Sequence, residues 1–507
     1  MYDVIIIGAG VGGLSCAAKL AIKGKHILIL EKIHHIGGTS HIFKRGEYVF
    51  PMGPLSFSFP NLVDKLIGEM GVKEDITFER NHFQLISPDL DIIYSQKWED
   101  FKNSLKKNFK KEKERIDAFF EEFDKLVAAI SKVHEWHPDF LIGKKKRIAL
   151  EKLLLEHRTE NDLIEKYDSI SSKDILNNYF KDKNLIKLLG SQGTFEPVMN
   201  MVHLAFMWNV MSREGIWFPS CGIHGINQLL YESIIKNGGE LKLNTPVKEI
   251  LIENKKVVGV KTMNNQVYDS KWVVANADYK KVFLELINPN QVPQNHLEMV
   301  KNTAYTGSEL CVYLGIDPKK VDLGRMRANH LFYRNKIEPS IPKDPEDFDN
   351  KEIEICLWSN KSESFAPKEK NSLVLRVNMP YSYFINWWLA EKKRKEGYYE
   401  FKKKIAQKLI NTVEKILPGL EDAVEIMEIA TPLTYSDWGQ RYEGSVAGWS
   451  RDIKKIRLDT KLLTENPIKN LLLVGIYSVL EPFLGGYPVS MYTGSSAADL
   501  ILEAEKN

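Results

Sequence analysis

The chain contains 507 residues, of which 43% are hydrophobic and 27% are charged, and its formal net charge is +3. A chain of this length exceeds one simple hydrophobic core, so we expect two or three lobes. The composition excludes a disordered or fibrous protein, and the small net charge excludes a general affinity for nucleic acid. The four cysteines stand apart without a C-x-x-C pair, which predicts buried or free thiols in a reducing compartment.

Neither secretion nor a membrane span is predicted. Residue 1 leads directly into a strand-like run, so we expect no signal peptide, and no apolar run reaches the ~18 residues that a span requires. Lysine-rich segments at residues 102–115 and 144–147 suit contact with an anionic bilayer, and apolar residues 140–142 suit shallow insertion. A solvated helix face is the alternative, so we expect a cytoplasmic protein that is soluble or peripheral on the cytoplasmic membrane face.

The first 38 residues are the most informative stretch. An apolar, β-branched run leads at once into Gly8, Gly10 and Gly13 of a G-x-G-x-x-G, followed by a helical pattern and a second apolar run. This order predicts a β-α-β unit whose glycines allow a tight turn, close approach of a pyrophosphate and close helix packing. The amino end of the helix would bind phosphates, and Glu31 stands where a carboxylate accepts hydrogen bonds from an adenosine ribose. Dinucleotide binding is therefore predicted, against the alternative of a glycine turn that binds nothing.

The remaining elements follow in chain order. In the first part of the chain the patterns predict a hairpin turning at Arg45-Gly46, a helix over 58–71 and short strands over 76–94. One long amphipathic helix follows over 98–133, with further helices to about 210, breaks at Pro138 and Pro197, and a helix from about 224. The second half is predicted to contain four strands over 240–275, helices over 279–302, alternating strands over 307–380, a helix over 390–416, a strand near 423–430, and a final strand and helix after 470. Similar strands near both ends and in the middle predict a discontinuous nucleotide-binding domain interrupted by a substrate domain.

Four segments of the chain resemble the flavin-dependent phytoene desaturase family, which includes carotenoid isomerases and retinol saturases. They are the opening unit with Glu31 and Gly37-Gly38, the turn F-P-S-C-G at 218–222, the hairpin ending in V-V-A-N-A-D at 273–278, and the stretch 470–499 with its glycine-proline turn. Two positions depart from the family pattern: Thr39 stands where an arginine is common, and Pro51 replaces an aspartate.

The resemblance implies an α/β fold with a GR2/amine-oxidase-like, discontinuous Rossmann-type FAD-binding domain over 1–75, 215–285 and 430–507. A helical cap would cover 76–214, and a mixed-sheet substrate domain would cover 286–429. The same resemblance assigns cofactor contacts to Gly8, Gly10, Val11, Gly12, Gly13, Glu31, Lys32, Gly37, Gly38, Thr39, Gly53, Pro54, Val247, Asn276, Ala277, Gly475, Gly485, Gly486, Pro488 and Val489.

The family's substrates are long polyisoprenoid hydrocarbons, so the resemblance implies hydride transfer at flavin N5 in desaturation, saturation or isomerisation of a polyene. A lipid-dwelling substrate favours peripheral membrane contact. No Ser/His/Asp set and no metal-ligand spacing is found, and His34, His35 and His41 fit ordinary loop histidines. Glu481 is a candidate proton carrier, with a solvated carboxylate as the alternative. Two other functions remain open: a flavin amine oxidase, and a prenyl-chain carrier of the Rab escort or GDP-dissociation inhibitor kind.

Overall fold

The computed structural model describes residues 1–53, 55–88, 90–93, 98–134, 144–191, 199–336, 343–360, 363–450, 467–478 and 486–506. Its strands are β1 (Tyr2–Ile7), β2 (Ile27–Leu30), β3 (Ile42–Arg45), β4 (Tyr48–Pro51), β5 (Phe78–Asn81), β6 (Phe83–Ser87), β7 (Leu90–Ile93), β8 (Ile216–Pro219), β9 (Glu240–Lys242), β10 (Val247–Glu253), β11 (Lys256–Thr262), β12 (Val267–Ala275), β13 (Glu309–Ile316), β14 (His330–Tyr333), β15 (Ile353–Leu357), β16 (Asn371–Asn378), β17 (Trp388–Ala390), β18 (Lys393–Arg394), β19 (Val424–Ala430) and β20 (Leu471–Leu473).

Its helices are α1 (Val11–Ala21), α2 (Pro60–Glu69), α3 (Trp98–Asn108), α4 (Lys113–His134), α5 (Lys144–Glu156), α6 (Arg158–Asp168), α7 (Ser172–Tyr179), α8 (Lys183–Ser191), α9 (Met201–Asn209), α10 (Gly222–Lys236), α11 (Tyr279–Lys281), α12 (Gln294–Asn302), α13 (Tyr398–Val413), α14 (Leu420–Ala423), α15 (Pro432–Asp437) and α16 (Gly486–Ala504). None of the helices within the described ranges is both long and apolar enough to cross a bilayer.

The first sheet joins strands from three distant parts of the chain. Its parallel portion runs in the order β9-β2-β1-β12-β20, and β10 and β11 add an antiparallel hairpin on β12. The parallel strands β1 and β2 are short runs of Ile, Leu and Val whose side chains are largely buried, as expected for strands covered on both faces. The predicted discontinuous Rossmann-type fold is confirmed.

The second sheet has the order β19-β13-β16-β15-β14-β6-β7. The pairing of β14 with β6 is parallel and its other pairings are antiparallel, so the sheet is mixed as predicted. One face buries leucine, isoleucine and valine side chains against α13. The hairpin predicted at Arg45-Gly46 is also present, as β3 and β4. The three domain boundaries predicted above stay a prediction.

The single helix predicted over 98–133 is wrong, because the chain breaks between α3 and α4. Phe109 leaves the helical conformation (φ −109°, ψ 63°), and one turn of 3-10 helix follows. Glu112 in that turn is buried and accepts hydrogen bonds from the backbone N–H groups of Lys181 (3.0 Å) and Asp182 (2.8 Å). This tertiary role of one glutamate overrides the helical periodicity. The breaks predicted at Pro138 and Pro197 lie outside the described residues.

The first and last helices pack together at very short range. A Cβ built on Gly494 of α16 would lie 2.1 Å from the carbonyl oxygen of Gly12 in α1. Beside this crossing, Lys19 Nζ contacts Ser495 Oγ and Asp499 Oδ1, both at 2.9 Å. The two ends of the chain therefore close one core, and only glycine fits at their crossing.

We predict that Gly494→Ala lowers the free energy of unfolding by about 1–3 kcal/mol, because the added methyl group meets rigid backbone. Gly68→Ala is the matched control. A Cβ at Gly68 meets nothing within 4 Å, and alanine is the better helix former, so this variant should be unchanged or slightly more stable. Urea unfolding followed by circular dichroism measures both, and equal midpoints for the two variants would contradict the packing argument.

Candidate functional site

The glycines after β1 form the tight turn and the close packing that the sequence predicts. Gly8 adopts φ +94°, and a Cβ there would lie 2.6 Å from the carbonyl oxygen of Asn276. A Cβ on Gly13 would lie 2.2 Å from the carbonyl oxygen of Gly8. Gly10 caps α1 without a side-chain hydrogen bond, and the first turn of α1 contains no acidic residue. The amino end of α1 can therefore donate its N–H groups to an anion.

The Asn276 amide, at the end of β12, lies inside this turn. Its Nδ2 atom is 2.6 Å from a Cβ built on Gly10, and its Oδ1 atom is 2.9 Å and 2.8 Å from those built on Gly12 and Gly475. Nδ2 also donates to the Gly8 carbonyl at 3.4 Å. Side chains at these glycines would collide with the amide, so the contacts join the ends of β1, β12 and β20 into one structure, the glycine cradle (Gly8, Gly10, Gly12, Gly475 and Asn276).

Glu31 follows β2 beside the cradle. Its carboxylate accepts hydrogen bonds from the backbone N–H groups of Ala9 (2.6 Å) and Ile33 (2.9 Å). Burial raises the pKa of this carboxyl above its ordinary value, although the two N–H donors oppose the rise. A carboxylate has about four acceptor positions, and the backbone donors do not fill all of them, so Glu31 can also accept from a hydroxyl group of a ligand. This geometry fits the predicted ribose contact.

The second glycine pair lies directly against the first turn. Gly37 and Gly10 form an isolated parallel bridge, and a Cβ on Gly38 would lie 3.6 Å from the Gly10 Cα. Buried Asn227 of α10 fixes this loop: its amide donates to the Ser40 carbonyl (3.0 Å) and accepts from the Tyr487 hydroxyl of α16 (3.1 Å). Neither residue is predicted from the sequence, since an isolated Asn and Tyr in helices give no local signal.

Arg441 supplies a cation beside the loop where the sequence shows only a threonine. Its Nη2 atom donates to Thr39 Oγ1 at 2.9 Å, and its Nη1 atom donates to the carbonyls of Ser445 (3.3 Å) and Val446 (2.7 Å). No carboxylate among the described residues forms an ion pair with Arg441. Its charge is therefore available to an anion, a role that the sequence analysis did not assign.

Further predicted residues lie after β20, in the first turn of α16 and after β4. The Gly475 N–H donates to Thr493 Oγ1 at 2.9 Å, which fixes the end of β20 to α16. The first turn of α16 contains Gly486, buried Pro488 and buried Val489. A Cβ on Gly53 would lie 2.8 Å from the Thr39 carbonyl oxygen. Pro54, Glu481 and Gly485 lie outside the described residues.

Four other predicted residues have structural partners. Val11 is buried as the first residue of α1, while Val247 and Ala277 pack against the core cluster behind β1 and β12. The Lys32 ammonium is paired within the protein, since its Nζ lies 2.9 Å from Glu391 Oε1.

Among the loop histidines, His35 and His41 stack with ring centroids 4.1 Å apart. Burial lowers the pKa of His41 to about 4, so this imidazole is neutral at pH 7.

A second polar group lies within the mixed sheet. Glu354 contacts His330 Nε2 and Arg376 Nη2, both at 2.5 Å. Burial alone would raise the pKa of Glu354, but Arg376 and His330 outweigh it and hold the pKa well below its ordinary value of 4.5. His330, Glu354 and Cys356 lie close enough to share a metal ion. The Arg376 charge opposes a cation there, so we describe the group as a buried ion network.

The comparisons identify relatives over almost the whole chain. Prolycopene isomerase from Daucus carota is 25% identical, with 99% of this chain and 81% of that protein covered. All-trans-retinol 13,14-reductase from Danio rerio is 23% identical, covering 97% and 85% respectively. The 1-hydroxycarotenoid 3,4-desaturase of a Flavobacterium species is 26% identical, covering 99% of both chains. These relatives confirm the resemblance found in the four segments.

Solved structures show the same fold. Cyclohexylamine oxidase from Brevibacterium oxydans superposes with a TM-score of 0.60 at 13% identity, covering all of both chains.

Residues 11–502 of this chain match the family described as flavin containing amine oxidoreductase. The chain is therefore a flavin-dependent oxidoreductase. It belongs to the flavin containing amine oxidoreductase family.

We predict that Glu354→Gln lowers the free energy of unfolding at pH 7 by about 3–5 kcal/mol, because the buried Arg376 guanidinium loses its carboxylate and His330 loses its polar partner. The folded-state pKa of Glu354 lies below 4.5, so its contribution is complete above about pH 4.5 and is lost as the pH falls through the folded pKa. The difference between wild type and variant should therefore shrink in acid.

Glu369→Gln is the control for this prediction, because Glu369 pairs at 2.7 Å with exposed Lys319 and is itself exposed. An exposed ion pair is screened by solvent, so this change should leave the urea midpoint nearly unchanged. A Glu354→Gln midpoint equal to that of wild type at neutral pH would contradict the role assigned to the network.

Proposed function

We propose that this chain is an FAD-dependent oxidoreductase that acts on carbon–carbon bonds of a hydrophobic polyisoprenoid. The observation that carries the proposal is the match, over nearly the full length, to proteins named as carotenoid isomerase, carotenoid desaturase and retinol reductase. A complete glycine cradle with Glu31 beside it supports a dinucleotide form of the flavin. Whether the bond is desaturated, saturated or isomerised is left open by relatives that carry all three names.

Within this proposal, each residue of the site has a physical task. Glu31 would accept the ribose hydroxyls, and the amino end of α1 would donate N–H groups to the pyrophosphate. The amino end of α16, with Gly486, Pro488 and Val489, would place its positive dipole toward the flavin ring. When bound, the flavin supplies hydride transfer at N5. Asn276 would act indirectly, by holding the backbone of the cradle in place.

The protein's task toward an apolar substrate is to orient it and to exclude water. A buried aromatic cluster that includes Phe50, Phe218, Tyr313, Trp358 and Tyr435 joins β4 and β8 to the mixed sheet. Such a cluster suits contact with a hydrocarbon that offers no polar group. Because that substrate resides in lipid, we also propose peripheral contact with the cytoplasmic face of a membrane.

The two alternative functions have weaker support. The amine oxidases among the solved structures share less than a fifth of their residues with this chain, so they show the fold alone. A prenyl-chain carrier would not need a flavin site, whereas the family match and the cradle both indicate one. Amine oxidation therefore enters only as an outcome of the experiment below.

Arg441→Gln should weaken binding of FAD about tenfold or more, because a charge-assisted contact to the pyrophosphate side of the site is lost. Titration of the apoprotein with FAD, followed by quenching of flavin fluorescence, measures the affinity without any turnover. The affinity of wild type should also fall more steeply with salt than that of the variant.

Arg45→Gln provides the matched control for this measurement. Arg45 lies on the adjacent β3 strand, pairs with Glu428 at 2.6 Å and is largely exposed. The Arg45→Gln change removes the same charge from the protein but should leave the FAD affinity unchanged. If Arg441→Gln binds FAD as tightly as Arg45→Gln, then Arg441 does not contact the cofactor.

The proposed reaction predicts that FAD-loaded protein converts a polyene in detergent micelles, with a change in double-bond number or geometry seen by chromatography and mass spectrometry. Phytoene, prolycopene and retinol are suitable probes, and putrescine and cyclohexylamine test amine oxidation. Gly10→Val is the inactive control, since a Cβ there lies 2.6 Å from Asn276 Nδ2 and fills the cradle. Anaerobic flavin reduction by amines alone, with every polyene unchanged, would refute the proposal.

A further inference from the structure

One surface of the protein exposes an unusual group of large apolar side chains. Trp388 and Leu389 of β17 are 42% and 55% exposed, Trp438 after α15 is 46% exposed, and nearby Ile385 is 37% exposed. We name these four residues the aromatic patch. Isolated exposed apolar residues are common, but three within residues 385–389, with Trp438 held against the following lysine-rich turn by Lys392, indicate a surface with a partner.

Specific contacts hold the patch together. Asp437, which is buried, accepts hydrogen bonds from the Lys392 N–H (2.7 Å) and from Arg394 Nη2 (2.6 Å) in the β17–β18 hairpin. The Lys392 ammonium lies 4.2 Å from the ring centroid of Trp438. The hairpin and Trp438 are therefore fixed to one another, and a buried ion pair presents the apolar side chains outward.

Basic residues surround the patch. Residues 385–404 contain seven lysines and arginines against three glutamates, whereas the whole chain has a net charge of only +3. Lys392, Lys393 and Lys395 at the hairpin are exposed, and only Arg394 is neutralised by Asp437. Exposed tryptophan and leucine beside lysines match the chemistry of a membrane interface, where rings enter the headgroup layer and ammonium groups contact lipid phosphates.

We propose that the aromatic patch, with Lys392, Lys393 and Lys395, is the surface by which this protein binds an anionic lipid bilayer. The inference rests on the peripheral membrane contact proposed above and names the surface responsible. It differs from the sequence expectation, which placed that contact at the lysines of 102–115 and 144–147 and at apolar residues 140–142, and these last three lie outside the described residues. Trp388, Leu389 and Trp438 enter the headgroup layer, and the three lysines bind lipid phosphates.

The patch also lies next to the cofactor loop. Glu391 at the hairpin tip pairs with Lys32, the residue that follows Glu31, at 2.9 Å. The Trp438 ring contacts His34 of the same loop, with centroids 6.4 Å apart. A bilayer bound at the patch therefore lies beside the loop that follows Glu31.

Cosedimentation of the FAD-loaded full chain with phosphatidylcholine vesicles, with and without phosphatidylglycerol, tests this surface. Wild type should bind the anionic vesicles. Trp388→Ser/Leu389→Ser should bind them about tenfold or more weakly, because the apolar insertion is lost. Lys392→Gln/Lys393→Gln/Lys395→Gln should bind anionic vesicles about tenfold more weakly and neutral vesicles no differently.

Met263→Ser/Val267→Ser is the matched control, since both side chains are exposed to a similar degree (59% and 53%) at the β11–β12 turn. It should bind as wild type does. All variants should retain FAD and polyene conversion in micelles, so loss of membrane binding is distinguishable from loss of the proposed reaction.

Two results would overturn the inference in different ways. Hairpin variants that bind anionic vesicles like wild type would place the membrane contact elsewhere on the protein. Absence of vesicle binding by wild type, with a dimer that the Trp388→Ser/Leu389→Ser variant dissociates, would identify the patch as a contact between copies of this chain.

Discussion

The site depends on a steric constraint at the Asn276 amide, where three parallel strands end without room for a Cβ atom. Gly10, Gly12 and Gly475 bring their backbones against the amide side chain, and Gly8 lies against the carbonyl oxygen of the same residue, at distances that only glycine permits. This close approach sets the direction in which α1 leaves the sheet and therefore where its unpaired N–H groups point. That direction is thus a property of the sheet's packing, and Glu31 and the Gly37-Gly38 loop lie around it.

Charge is distributed differently in the two sheets. Beside the first sheet, Glu31 accepts hydrogen bonds from backbone N–H groups and can also accept from a ligand hydroxyl. Arg441 has hydroxyl and carbonyl partners, so its charge can also contact an anionic group of a ligand. In the second sheet, Glu354 is enclosed by Arg376 and His330 and has no such freedom. The buried charges of the second sheet are therefore engaged with one another, whereas those beside the first sheet keep positions for a ligand.

The sequence predicted the parts of the fold that local patterns control. The β-α-β unit, Glu31, the β3–β4 hairpin and the mixed sheet all follow from short periodicities and glycine positions. Long-range contacts were not predictable in the same way. Glu112 interrupts a strong helical pattern because it caps a loop 70 residues later. Likewise Thr39 suggested a missing cation, whereas Arg441 arrives from 402 residues further along the chain.

The crossing of α1 with α16 constrains how this chain can be synthesised and folded. Helix α1 packs against α10 and, much later in the chain, against α16, and β12 gains its β20 neighbour at residues 471–473. Until these late segments are made, part of the apolar surface of α1 and one edge of β12 are uncovered, a state that favours aggregation and slow closure. Nascent chains of this protein should consequently depend on chaperones until β20 and α16 have been made.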